Sequence, residues 1–296
     1  MISKYDKKFT AFSHLVLAVA SACCLYPFLL LISASFTEES TLIRNGYSLF
    51  PEQCSLEAYR YLYAQIDTLA RAYGITVLVT AVGTIVGLFI TSMLAYALSQ
   101  PTLPGKNVLS FITVFSMLFN GGLVSTYLWY TGTLHIKNTL WALLIPSLVT
   151  NGFLILIATN YFRTNVPREV VEAARIDGAG EYKIFFSIVM PFSRPILAAI
   201  GLMQGIGYWN DWRNGLYYIT DAKLFSIQNI LNRMIQEISF LSTSDAGGYA
   251  AEYAASIPTA GVRMAIAVVA ALPILIVYPF FQKHFAKGLT VGSVKG

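Results

Sequence analysis

Two acidic residues and a set of small ones lie close together in the most charged stretch of the chain, 163–194: Glu172-Ala173-Ala174, then Asp177-Gly178-Ala179-Gly180. Bare side chains of this kind let another backbone approach closely, so the cluster reads as recognition rather than covalent chemistry. No nucleophile stands with a base. His14, His135 and His284 fall at the ends of apolar segments or in the tail, where they read as interfacial residues. The glycine-rich phosphate cradle is missing too: Gly105-Lys106 is followed by Asn107, and Gln100 stands where the first glycine is needed. Cys23, Cys24 and Cys54 offer neither a disulfide framework nor zinc spacing, and no cofactor or metal is expected on this chain.

The cluster needs a scaffold, and its neighbours supply one. Asn165 or Val166 is expected to cap a helix, with Pro167 in its first turn and Glu169 near the positive end of the dipole. Gly178 suits the left-handed residue that stops the helix. A second short helix is expected over 180–189, and Pro191 opens the next apolar segment. Asp177 sits in the last turn, where the macrodipole disfavours an anion, so something other than local helix stability favours it. On these residues alone two readings stand: an ordinary connector with helix-forming alanines, and a docking element.

Around this stretch the chain is apolar, with 56% hydrophobic and 12% charged residues among 296. Soluble domains carry about 25% charged residues. Charge-free runs cover 9–37, 72–105, 107–136, 138–162 and 264–282, with a shorter one at 195–210 that is long enough if Arg194 snorkels. The expected fold is therefore all-α, a polytopic membrane protein with six transmembrane helices near 11–36, 71–98, 108–131, 139–161, 191–212 and 262–282. The first run is too long for a signal peptide, and the runs lack the alternation of a β-barrel.

Basic residues orient these spans. With the amino terminus inside, twelve Lys and Arg fall on the cytosolic side and eight outside, five of the eight in two long external loops. Both termini are expected in the cytosol, with 163–190 a cytosolic segment and 213–261 an external loop. The net charge of +5 follows from this bias, and without a basic stripe no nucleic-acid partner is expected. In the first external loop Ser55 begins a short helix. In the second, Leu224, Ile227, Leu231, Met234 and Ile238 have helical spacing, suggesting an amphipathic helix on the membrane or a partner, followed by a small polar tongue over 242–250.

Amides inside membrane helices face a cavity or another helix, and sugars are bound by planar polar groups and aromatic faces. Candidates for a substrate path are Asn120, Asn151, Gln204, Trp209, Asn210 and Asp211, with Tyr127, Trp129 and Tyr130. Each has a plainer alternative. The aromatics fit an interfacial belt, Asn120-Gly121-Gly122 fits a broken helix, and Asp211 fits a carboxylate paired to Arg213.

The spacing of Glu172-Ala173-Ala174, Asp177-Gly178-Ala179, Phe185, Ile188, Pro191 and Pro195 resembles the EAA loop of permease subunits in binding-protein-dependent ABC importers. The likeness extends to 138–143 with Pro146, to Tyr208-Trp209-Asn210-Asp211-Trp212 and to the terminal 288–296, which resemble the maltose-type carbohydrate branch. Within it the chain is similar to the second of the paired permeases, in the group importing complex oligosaccharides such as pectin fragments and alginate. The resemblance implies a type I ABC importer permease fold in a bacterial inner membrane. It also implies partners: a second permease, two ATP-binding subunits that hold ATP and Mg, an extracytoplasmic solute-binding protein and an oligosaccharide. By the same resemblance 172–180 is the coupling helix, Glu172 faces a basic or hydrogen-bonding group on the ATPase, Ala173, Ala174 and Ala179 allow close packing, and Gly178 makes the turn. The tail would reach the ATPase interface, and the tongue the binding protein. An importer of amino acids or peptides shares the coupling loop and remains the chief alternative. An ion-driven carrier would carry midplane charges or repeats, neither of which is found, and a scaffold would leave the loop pattern unexplained.

Overall fold

The computed structural model describes residues 4–146, 149–243 and 259–291, and every element among them is helical apart from an isolated bridge between Thr37 and Cys54. The tongue beyond 243 and the tail beyond 291 lie outside the described residues. The helices are α1 (Lys4–Ser35), α2 (Glu39–Asn45), α3 (Glu57–Tyr63), α4 (Ile66–Ser99), α5 (Lys106–Leu118), α6 (Gly122–Leu128), α7 (Trp141–Leu144), α8 (Gly152–Asn165), α9 (Arg168–Ile176), α10 (Glu181–Ile184), α11 (Met190–Phe192), α12 (Arg194–Trp209), α13 (Arg213–Tyr218), α14 (Ile227–Thr243) and α15 (Thr259–Val291). Wide π turns follow α6 and α10. Contacts divide the chain into two compact units, Met1–Thr68 with Leu231–Pro273 and Leu69–Ile230 with Ile274–Gly296.

Two described helices are long and apolar enough to cross a bilayer unbroken, Phe9–Ser35 and Ile66–Ser99. The other expected spans differ from single rods. The third is bent by 115° between α5 and the helix from Gly122, and the fifth by 85° between Phe192 and Arg194. The fourth is interrupted between α7 and α8, and the described apolar stretch of the sixth is Ala260–Ile276.

Each break has a local cause. At 119–122 Phe119 is extended, the Asn120 carboxamide oxygen accepts the Gly122 N–H at 2.9 Å, and Gly122 takes φ +80°. Before α8, Asn151 is extended and its side-chain oxygen accepts from the amides of Phe153 and Leu154, while Pro146 supplies no donor of its own. At Ser193 the flanking Pro191 and Pro195 remove two amide donors from the turn.

Non-helical backbone in hydrocarbon must find partners within the protein. Here the Tyr208 hydroxyl donates to Leu144 O at 2.9 Å and Asn214 Nδ2 to Pro146 O at 2.9 Å, so α12 and α13 satisfy the carbonyls that the break after α7 frees. Tyr208 reaches this point because it lies against Gly83 of α4, where a side chain would collide with its ring.

In the first unit the Glu39 carboxylate accepts the amides of Ala260 and Gly261, each at 2.8 Å. That pairs two of the orphan donors at the start of α15 with an anion, the sign the dipole favours there. Ser35 and Tyr59 share a hydroxyl hydrogen bond of 2.8 Å, and Phe36 stacks on Tyr59. Ser55 sits one position before the N-cap, which is Leu56, of a helix that begins at Glu57, and its hydroxyl accepts that residue's amide.

The amphipathic helix expected after Leu224 begins three residues later. Leu224 ends a separate 3-10 turn, and Ile227, Ile230, Leu231 and Met234 of α14 are buried within the chain rather than laid on a membrane surface. Buried Thr76 anchors its start by accepting the Ile227 amide at 2.8 Å.

Asn138 provides a third polar anchor. At φ +56° its side-chain oxygen accepts the amides of Thr220 at 2.6 Å and Asp221 at 3.1 Å, and its own amide donates to Tyr218 O. Asn138→Ala removes two acceptor bonds and places a non-glycine residue without local compensation in the left-handed region, at a cost of about 2 kcal/mol. Asn138→Gly relieves the backbone but not the bonds. Thermal unfolding of the detergent-purified protein should therefore rank wild type above Gly, and Gly above Ala; equal melting points would contradict the anchor.

Candidate functional site

Arg163–Phe192 folds as a helix, a tight turn and a second helix. Pro167 lies one position earlier than expected, at the N-cap of α9 rather than in its first turn, because its extended ψ of 123° precedes the helical run. α9 then runs to Ile176. Gly178 has φ +78°, its amide bonds to Arg175 O at 3.0 Å, and the Ala179 amide reaches back to Ala174 O at 2.9 Å. These two nested bonds are a Schellman stop, and its customary apolar contact is the pair Ala174 and Ala179, both partly buried. The expected helix over 180–189 is two pieces, α10 and the π turn Phe185–Val189.

The segment has two faces. Val171, Ile184, Phe185 and Val189 are buried with Tyr96, Phe162, Leu197 and Ile200 in one apolar cluster. Glu172, Ala173, Ile176, Asp177, Gly178 and Gly180 are exposed. Ala173 alone of the adjacent alanines is bare on the outer face, since Ala174 turns partly inward. Ile176 is 87% exposed, a large apolar side chain standing in solvent beside Asp177. Next to it Ala174, Asp177, Gly180, Lys183, Ser187 and Ile188 line an open hollow of about 310 Å³. An exposed apolar side chain thus stands one residue from the lining of an open hollow on a small-residue face. Ile176 gave no signal in the sequence, where it reads as one more apolar helical residue.

Glu181 carries the strongest polar interactions of the region. Its Oε1 accepts from Arg175 Nε at 2.8 Å in an ion pair, and its Oε2 accepts from the Tyr96 hydroxyl at 2.5 Å. The Arg175 hydrogen bond, joined by that from Tyr96, holds the Glu181 carboxyl below the ordinary carboxylate range. A depressed folded-state value means that the interaction stabilises fully above the ordinary range and is lost as pH falls through the depressed one. Both side chains are part-exposed, which weakens the pair by solvent screening. Amide exchange across 176–184, corrected for intrinsic rates, should speed up on acidification below the ordinary carboxylate range. In Glu181→Gln that extra step should vanish; an identical acid response would show that another group is responsible.

The other candidates scatter. Gln204 is 5% exposed and lies between α4 and α12, donating to Thr91 Oγ1 at 3.3 Å; its Oε1 has no partner among the described residues. Trp209 is buried near Tyr73, with ring centroids 6.2 Å apart. Asn210 is exposed at the end of α12, its Nδ2 donating to Ile206 O and its Oδ1 3.5 Å from Gln228 Nε2. Asp211 makes no ion pair with Arg213 among the described residues. Its carboxylate instead accepts the Asn214 amide at 3.2 Å in the first turn of α13. Asn120 is exposed at the break before α6, and Asn151 caps α8. Tyr127 and Tyr130 do not form a loose belt: both rings pack on Tyr218 with centroids at 5.8 Å, while Trp129 is exposed.

Comparison with known proteins joins these features to a family. The pattern of the family described as binding-protein-dependent transport system inner membrane component matches residues 72–291. Protein LplC of Bacillus subtilis (strain 168) is 38% identical over 294 residues, covering 99% of this chain and 97% of that protein. The polygalacturonan/rhamnogalacturonan transport system permease protein YtcP of the same organism is 38% identical, over 92% of this chain and 93% of its own. Among solved structures, a chain of a bacterial ABC transporter involved in the import of the acidic polysaccharide alginate matches with a TM-score of 0.79 at 27% identity, covering 96% of this chain and 99% of that one.

Proposed function

This chain belongs to the family of binding-protein-dependent transport system inner membrane components, and from that premise we propose that it is one permease subunit of an ATP-driven importer of complex oligosaccharides. The observation that carries the proposal is the exposed face of α9 and its Gly178 turn, backed by an apolar cluster that packs the segment onto α4, α8 and α12. Transport subunits do no covalent chemistry of their own. Here ATP and Mg are held by two separate ATP-binding subunits, and a second permease completes the path.

The mechanism is alternating access. Closure of the ATPases pushes on Glu172, Ala173, Ala174, Asp177, Gly178, Ala179 and Gly180, and the apolar cluster behind them carries the displacement into the helices. The helices then open toward a loaded solute-binding protein outside. In this reading the chain crosses the membrane six times with both termini in the cytosol, and polar groups lie at the breaks of the third and fourth crossings and along the fifth. Asn120, Asn210 and Asp211, near the exposed ends of helices, contact the sugar along the path, while Gln204 and Trp209 hold the helices that line it.

The relatives favour sugar over amino acids or peptides. YtcP is named for polygalacturonan and rhamnogalacturonan, and the solved neighbour for alginate, so uronic-acid oligosaccharides are the substrate class proposed. The test is ATP hydrolysis by the complex purified with its partner permease, ATPase and binding protein, as neutral and uronic oligosaccharides are added one at a time. Stimulation by uronic oligosaccharides is the expected result. Stimulation by amino acids or peptides alone would overturn the substrate class, and failure of any ATPase to copurify would overturn the importer.

A further inference from the structure

We infer that Arg175, Glu181, Tyr96 and Gln100 form a polar latch that makes α4 the helix moved directly by the coupling segment. The inference rests on the importer reading above and adds to it the route by which displacement leaves that segment. Glu181 follows the Gly178 turn and Arg175 precedes it, so the pair spans the turn from α9 to α10. Tyr96 lies in the last turn of α4, and Gln100 just beyond its end. Three bonds link the four side chains, and the end of α4 joins Tyr96 to Gln100. Tyr96 O–H donates to Glu181 Oε2 at 2.5 Å, Arg175 Nε to Glu181 Oε1 at 2.8 Å, and Arg175 Nη2 to Gln100 Oε1 at 2.9 Å.

Three features argue for a mechanical role over local stability. Both carboxylate oxygens are engaged, so Glu181 cannot swing without breaking a charge-assisted bond, the stronger kind of hydrogen bond. The α4 end is itself pinned: Arg163 Nη2 donates to Leu98 O at 2.8 Å and Lys106 Nζ to Gln100 O at 2.9 Å, which gives the latch a firm base. Packing thins toward the latch. Higher on α4 the segment is held by apolar contact, Phe186 stacked on Phe89 and Phe185 against Tyr96, but beside the latch Met93 and Ala97 of α4, Thr102 and Pro104 of the following loop and Tyr182 line a hollow of about 350 Å³. The polar bonds tie the end of α4 to the segment at the edge of that hollow. A bond network of fixed direction transmits a pull as well as a push, whereas apolar surfaces held only by contact separate under tension.

The latch residues are positioning residues, because in this proposal they act through α4 and not by contact with the ATPase. The test uses the full complex in proteoliposomes, comparing wild type, Tyr96→Phe, Glu181→Gln and the double variant. The reading is the ratio of hydrolysis with binding protein and oligosaccharide to hydrolysis without them. Each single variant is expected to copurify ATPase at the wild-type ratio, keep unstimulated hydrolysis, and lose roughly three- to tenfold of the stimulation. The double variant should lose no more than the worse single one, as members of one unit do. Tyr96→Phe deletes a single hydroxyl, so it keeps the test decisive if Glu181→Gln assembles poorly. Wild-type stimulation in Tyr96→Phe, or additive losses in the double variant, would overturn the latch. If wild type itself shows no stimulation, the importer reading fails first, and the two failures are told apart.

Discussion

Replacing Gly178 with proline is expected to abolish substrate-stimulated ATP hydrolysis while leaving the chain inserted in the membrane. The left-handed φ of +78° is closed to proline, whose ring fixes φ near about −65°. Proline also lacks the amide that bonds to Arg175 O at 3.0 Å, so the stop that ends α9 is lost together with the angle at which α10 leaves it. Sterics are not the cause, since nothing lies within 4 Å of where a Cβ would stand. Gly178→Ala therefore meets only the backbone penalty of about 1–2 kcal/mol and should keep part of the stimulation. The graded series separates geometry from bulk. Stimulated and basal hydrolysis of the three complexes, measured at equal insertion, checks the order Gly, then Ala, then Pro; full stimulation in the proline variant would contradict the turn's role.

The second large effect lies at the α4–α12 contact. A methyl group at Gly83 would overlap the ring of Tyr208, and that ring cannot step aside, because its hydroxyl is committed to Leu144 O at 2.9 Å. Gly83→Ala should destabilise by about 1–3 kcal/mol, the usual cost of overpacking, even though alanine is the better helix former. Gly74, on the same helix, has open space where a Cβ would go, and Gly74→Ala should be neutral or slightly stabilising. Melting of the detergent-purified complex is the readout. A common response of both variants would mean that helix propensity, not the contact with Tyr208, governs the seam.

The sequence carries some of this architecture openly and conceals the rest for physical reasons. The Gly178 stop was legible because left-handed turns select glycine and the flanking residues obey helix rules. Asn120-Gly121-Gly122 offers a break as one reading, and Pro191 reads only as the opening of the next segment; charge-free runs cannot reveal a bend, since a bent helix is as apolar as a straight one. That is why the run over 108–131 reads as one span although α5 and α6 meet at a steep angle. Gln204 is visible as a polar residue in apolar surroundings, yet its partner Thr91 lies 113 positions away, and the bond from Asn214 to the carbonyl of Pro146, 68 positions away, gives no local signal at all. The same distance hid the latch: Tyr96 and Glu181 are 85 residues apart, and no local period connects them. Ile176 escaped for the opposite reason, because nothing in a helical pattern distinguishes an apolar residue facing a core from one facing a partner.

Coupling of ATP hydrolysis to transport requires that the outer face of α9 meet an ATPase subunit. Site-specific cross-linking from a cysteine at position 176, in a background with Cys23, Cys24 and Cys54 replaced, measures this in the assembled complex. Ile176→Cys should give a permease–ATPase adduct with a short bifunctional reagent and become shielded from a soluble maleimide when the ATPase is present. Val171→Cys, facing the apolar cluster, should give none. An Ile176→Cys side chain that stays equally reactive with and without the ATPase, and never cross-links to it, would contradict the coupling role of this face.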